Sequence, residues 1–195
     1  MGVAGSGKTT VGKLLADGLG YEFVDADDHH PEQNIEKMRT GIPLNDTDRM
    51  PWLLTLRDLI ADNVDIVLAC SALKEAYRRI LGEAGDVRFI YLKIDTDTVR
   101  RRFDGRREHF MNPTLIDSQF DTLEEPDSAM VIDGKGSPQT IVDTILPGRT
   151  VSGSAVLGSG DRRRSGVGRG GQRCQGTAAE PTGTLVLRAA ALPQP

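Results

Sequence analysis

The chain predicts an α/β fold, a parallel sheet flanked by helices, and three observations carry that prediction. Short β-rich runs alternate with longer stretches of helical apolar period, the pattern of βαβ units. A glycine-rich segment opens directly onto the first helical stretch. The 195 residues, 38% hydrophobic and 27% charged, are enough for one domain with a core plus an appendage, and too few for a two-domain enzyme.

Taken in order, Lys8–Gly18 places Val11, Leu14 and Leu15 on one helical face, and Tyr21–Val24 reads as a strand. Asp48–Asp62 stacks Trp52, Leu53, Leu56 and Ile60 on a second helix, with Asp46 as a candidate N-cap. The Val64–Ala69 strand runs out at Cys70-Ser71, and Ala72–Leu81 continues as a helix with Leu73, Tyr77 and Leu81 on one side. Val87–Ile94 and Met130–Ile132 are further strands. Ser137 followed by Pro138 is an N-cap and a first-turn proline leading into Ile141, Val142 and Ile145, which closes the domain near Leu146. There is no internal repeat.

Composition breaks near Pro147. Residues 148–195 take 10 of the 22 glycines, and their seven Arg against Asp161 and Glu180 give +5, leaving −9 of the total −4 on residues 1–147. The tail has no apolar period, so it is expected to stay disordered, while 1–147 forms the domain. An acidic domain excludes a general nucleic-acid or anionic-surface binder, so any phosphate site is local. Cys70 and Cys174 supply neither a disulfide framework nor a zinc site, and no apolar run approaches the about eighteen residues that span a bilayer. The expectation is a cytoplasmic protein with no membrane and no nucleic-acid partner.

Gly2-Val3-Ala4-Gly5-Ser6-Gly7-Lys8-Thr9 fits G-x-x-x-x-G-K-[ST], the Walker A loop, whose main-chain N–H groups wrap a phosphate chain. This makes the domain a P-loop NTPase. Lys8 is placed to reach the β- and γ-phosphates, the Thr9 hydroxyl to bind Mg²⁺, and the following helix to present its positive end to the same anion. The nucleotide set is Gly2, Gly5, Ser6, Gly7, Lys8, Thr9 and Thr10. Such a loop should follow a buried strand, yet only Met1 precedes Gly2. The expectation is therefore an N-terminally truncated domain whose first strand is missing, with the neighbouring strands left unpaired and stability low.

Asp25, Asp27 and Asp28 follow the Tyr21–Val24 strand, and a period of two puts Asp25 and Asp27 on one face at its carboxyl end, where open α/β sheets bind ligands. One carboxylate can orient Mg²⁺ while the other accepts the proton of an attacking hydroxyl. Arg49 can clamp a carboxylate bidentately, and Lys74 with Arg78 add positive charge near the same rim. Arg102 and Arg106, i and i+4 after the Val87–Ile94 strand, can close over phosphates. Taken alone, the loop and the D-x-D fit a shikimate kinase, a nucleoside-monophosphate kinase or a nucleotide-binding remnant without turnover.

The order of motifs resembles the gluconate kinase family, among the shikimate-kinase-like and nucleoside-monophosphate-kinase-like P-loop phosphotransferases. The resemblance rests on the loop at 1–9, D-A-D at 25–27 with His30-Pro31, N-I-E-K-M at 34–38 and G-I-P-L-N-D-T-D-R-M-P-W-L at 41–53. C-S-A-L-K-E-A-Y-R at 70–78, F-I-Y-L at 89–92, H-F at 109–110 and T-L-E-E-P at 122–126 complete it, over about residues 1–146. It implies ATP- and Mg²⁺-dependent phosphorylation of the 6-hydroxyl of D-gluconate, a homodimer, and a mobile lid around residues 103–124. It also implies Lys8, Asp25 and Asp27 as catalytic groups, with Asp27 as base or hydroxyl orienter and Asp25 with Thr9 near Mg²⁺. Asp27, His30, Arg49, Lys74 and Arg78 would bind the sugar acid. Glu108 stands where the family's lid has a glycine.

Overall fold

A computed structural model describes residues 1–104, 113–147 and 185–188. Helix α1 (Lys8–Leu19) is followed by strand β1 (Glu22–Asp25) and by a 3-10 turn, Ala26–His29, in which the Asp25 carboxylate accepts from the Asp27 N–H. Helix α2 (Glu32–Arg39) leads to α3 (Asp46–Asp62), β2 (Ile66–Ala69), α4 (Glu75–Gly82) and β3 (Val87–Lys93). Helices α5 (Thr96–Asp104) and α6 (Pro113–Thr122), strand β4 (Met130–Asp133), helix α7 (Pro138–Ile145) and strand β5 (Leu185–Arg188) complete the described elements.

The sheet order is β1-β2-β5-β3-β4. β1 pairs with β2 and β3 with β4 in parallel, as expected, but β5 lies antiparallel to both of its neighbours, so the sheet is mixed. Neighbouring strand residues feed opposite layers. Val67, Leu92 and Ile132 pack with Val11 and Leu15 of α1 and Val142 of α7, whereas Leu68 and Val186 pack with Trp52, Leu53, Leu56, Tyr77 and Leu81 of α3 and α4. A third, smaller cluster of Val3, Leu73, Ile94, Val99 and Ile116 fastens the glycine loop to α5 and α6.

Two expectations are corrected by β5. The inner edges of β2 and β3 are paired with Leu185–Arg188 over four residues each, so neither is left open. Beyond the end of β5, Met1 takes its place beside β3, where its amino group donates to the Ile90 carbonyl and its own carbonyl accepts from Leu92 N–H at 2.7 Å. Residues 185–188 thus form a strand within a stretch expected to lack structure, with Val186 fully buried.

Smaller shifts have local causes. The 66–69 strand starts two residues late because Asp65 has a positive φ of 63°, and α4 starts at Glu75 because Ala72 has φ 35°. Asn45, not Asp46, caps α3, through a capping box with Asp48. Helices α2, α5 and α6 were not foreseen as elements. The central part of the expected lid, with Arg106 and Glu108, lies outside the described residues.

Candidate active site

The loop between Met1 and α1 needs two of its glycines for a steric reason. A Cβ on Gly2 (φ 144°) would sit 2.7 Å from the Leu92 carbonyl oxygen, and one on Gly5 (φ 75°) would sit 2.8 Å from the Phe103 ring. The loop is therefore pressed against β3 on one side and α5 on the other. Arg102 clips it from above, donating to the Gly5 carbonyl at 3.0 Å and to the Gly134 carbonyl at 2.8 Å. Gln119 of α6 accepts from Ala4 N–H at 2.7 Å.

Lys8 is buried at the start of α1 and donates to the Val3 carbonyl and to Ser6 Oγ, the latter at 3.0 Å. Burial lowers its pKa to about 8, while Asp27 and Asp25 act in the opposite direction and hold the ammonium charged at neutral pH. One residue on, Thr9 Oγ1 donates to Asp25 Oδ2 at 3.1 Å, which joins α1 to the carboxyl end of β1. Thr10 is exposed on α1. The 3-10 turn then carries Asp27 back toward Lys8. An open cavity of about 520 Å³ borders this edge, lined by Thr9, Lys13, Phe23, Asp25, Asp27 and Asp28.

The remaining expected residues divide. His30 is buried against Trp52, ring centroids 4.2 Å apart and 11° from parallel, and its Nε2 lies 3.9 Å from Asp27 Oδ1. Burial, with Arg49 nearby, lowers its pKa to about 4, so the imidazole is neutral. With its side chain only 2% exposed it stands behind Asp27 rather than on the open rim. Arg49 lies over the Tyr77 ring at 5.9 Å and donates to the Leu44 carbonyl. Lys74 meets both oxygens of Asp46 at 2.7 and 2.8 Å, and the Tyr77 hydroxyl donates to the same carboxylate. Arg78 is turned inward, donating to the Ala72 and Leu73 carbonyls and to Glu75, and so braces the 70–74 loop from within. Cys70, at the end of β2, is a buried free thiol whose pKa burial pushes up to about 12, which leaves it inert.

Sequence reasoning missed Asn34, Gln119, the contacts of Asp46 with Lys74 and Tyr77, and the polar use of Trp52, whose Nε1–H donates to the Ala26 carbonyl at 2.8 Å. Asn34 is the single buried residue of α2, so that helix shows no apolar period that could have flagged it. Among the described residues no group of three or more His, Cys, Asp or Glu could hold a metal ion by itself, and no helix is long and apolar enough to cross a membrane.

Comparison with known proteins matches the family model described as shikimate kinase to residues 4–146. A probable gluconokinase of Mus musculus is 43% identical over 169 residues, 75% of this chain and 89% of the mouse protein. A gluconokinase of Arabidopsis thaliana is 43% identical over 166 residues, 75% of this chain and 88% of the plant protein. The crystal structure of a gluconokinase from Sinorhizobium meliloti 1021 superposes with a TM-score of 0.71 at 38% identity, over 75% of this chain and 86% of that one.

Proposed function

The chain belongs to the shikimate kinase family and, within it, to the gluconokinases, and we propose that it transfers the γ-phosphoryl group of ATP to the 6-hydroxyl of D-gluconate, giving 6-phosphogluconate. The observation that carries this reading is the meeting of a phosphate loop and an acidic turn at one sheet edge: Lys8 and Thr9 on one side, Asp25 and Asp27 on the other. Phosphoryl transfer needs little covalent chemistry from a protein. It needs the phosphates gripped, the hydroxyl aimed and the developing charge offset.

The loop amides of Gly2, Gly5, Ser6 and Gly7 and the Lys8 ammonium supply the grip, with Arg102 already fixed on the loop. Thr9 Oγ1 and Asp25 Oδ2, 3.1 Å apart, are hard oxygen donors of the kind Mg²⁺ takes in ones and twos beside phosphate oxygens, so this pair fits the ion. Bound there, Mg²⁺ would neutralise phosphate charge. Asp27 accepts the proton of the attacking hydroxyl. Arg49 and Lys74, both beside the Tyr77 ring, are the cations for the sugar-acid carboxylate, Arg49 being suited to a bidentate grip and Lys74 giving up its Asp46 contacts to take part. A homodimer and a cytoplasmic location belong to the same proposal, and sedimentation velocity tests the first.

The test compares ADP release with gluconate, shikimate and nucleoside monophosphates as acceptors. Gluconate is expected to stimulate release, and Asp27→Asn to cut kcat about a hundredfold with ATP binding retained. Stimulation by one of the other acceptors alone would overturn the assignment.

A further inference from the structure

Behind the proposed base lies a layer of side chains that fixes a single tautomer of His30. The Asn34 side chain presents one hydrogen-bonding atom to the Asp48 carbonyl at 2.8 Å, and a carbonyl oxygen can only accept, so that atom is the amide nitrogen. The same nitrogen faces His30 Nδ1 at 3.4 Å. An NH₂ group can only donate, which makes Nδ1 the acceptor and leaves the ring proton on Nε2. Nε2 is the atom that looks at Asp27 Oδ1, 3.9 Å away. Trp52 sets the plane of the ring by stacking on it, and through its own N–H it holds the Ala26 carbonyl between the two aspartates. The imidazole and the acidic turn are therefore clamped by one indole.

We propose that His30 is a positioning residue for phosphoryl transfer: as the neutral Nε2–H tautomer, set by Asn34 and held in plane by Trp52, it orients the Asp27 carboxylate toward the acceptor hydroxyl. At 3.9 Å the Nε2–H dipole acts on the Asp27 carboxylate electrostatically rather than through a hydrogen bond. A neutral donor steers the carboxylate without cancelling its charge, whereas an imidazolium in the same place would hold the carboxylate as an ion pair and weaken it as a proton acceptor. His30 moves no proton to or from substrate.

This inference rests on the gluconokinase reading for its reaction but not for its tautomer, and the experiment separates the two. Long-range ¹H–¹⁵N correlation of the imidazoles in the full chain at pH 7 is expected to show His30 protonated at Nε2 and bare at Nδ1. Asn34→Asp places an acceptor opposite Nδ1, so it is expected to move the proton to Nδ1 and to lower kcat about tenfold or more with the KM for ATP unmoved. His30→Leu is expected to lose kcat to a similar extent. His30→Gln, whose terminal NH₂ can stand in for the Nε2 donor, should restore most of it. An Nδ1-protonated His30 in the active parent, or equal losses in the Gln and Leu variants, overturns the inference. A parent that ignores gluconate yet shows the Nε2–H tautomer overturns the gluconate reading and the role of His30 in that reaction, and leaves the tautomer standing.

Discussion

Lys8 is an ammonium kept out of water at the mouth of a loop, with burial working against its charge and two carboxylates working for it. Replacing it with alanine removes the group proposed to meet the phosphates and also removes a costly buried charge, so the two effects separate. Lys8→Ala is expected to lower kcat about a hundredfold to a thousandfold while the melting temperature stays close to that of the parent. Steady-state turnover beside differential scanning fluorimetry checks this, and undiminished turnover would take the loop out of the chemistry. That Lys8, Thr9 and Asp25 come together was legible in the sequence because a phosphate loop is written in consecutive residues and one strand end. His30 and Arg78 were legible as polar residues near the site, but their burial was not. Whether a side chain faces the cavity or braces the loop behind it depends on α3 and the 70–74 loop, which come from elsewhere in the chain.

Helices α1, α3 and α7 could be read from apolar period and caps, because each buries one face against the sheet. Helix α2 could not, having Asn34 as its single buried residue, and α5 and α6 pack through a few positions around the glycine loop. The start of α4 illustrates why boundaries escape: its first amide is capped across the fold, not by a neighbour. Glu124 accepts from Glu75 N–H at 2.6 Å, while its own N–H donates to the Leu73 carbonyl at 2.9 Å. A carboxylate at a helix N-terminus contributes about 1 kcal/mol, so Glu124→Ala should lower the melting temperature by about 2–4 °C. The same change frees the segment behind Lys74, so the KM for the acceptor should rise. Identical melting curves for variant and parent would show that this contact adds nothing.

At the scale of the molecule, acid weakens the fold through groups that the native state keeps neutral. His30 is the clearest case, held near 4 against an ordinary 6.5 by its burial. Between the folded and unfolded values the unfolded chain binds protons that the native chain refuses, so stability is lost as pH falls through that window. Calorimetry should find the melting temperature dropping from pH 7 to pH 5, with a shallower drop in His30→Gln; a flat profile in the parent would contradict it. The sheet consists of two parallel pairs, β1 with β2 and β3 with β4, and β5 is the strand that joins them. Val186 is fully buried in β5, packed in the cluster that contains Trp52, Leu56 and Leu68. An aspartate there would put an unpaired charge in that cluster, at a cost of about 3 kcal/mol or more. The strand would then leave, uncovering the main-chain groups of Ile66–Ala69 on one side and Val87–Ile90 on the other. Val186→Asp should therefore melt well below the parent and exchange the amide hydrogens of β2 and β3 faster than those of α1. Because the glycine loop leaves Met1 beside β3, nucleotide affinity should fall with the same change. If instead β2 and β3 keep their protection, the strand at Leu185–Arg188 is not what joins the halves of the sheet.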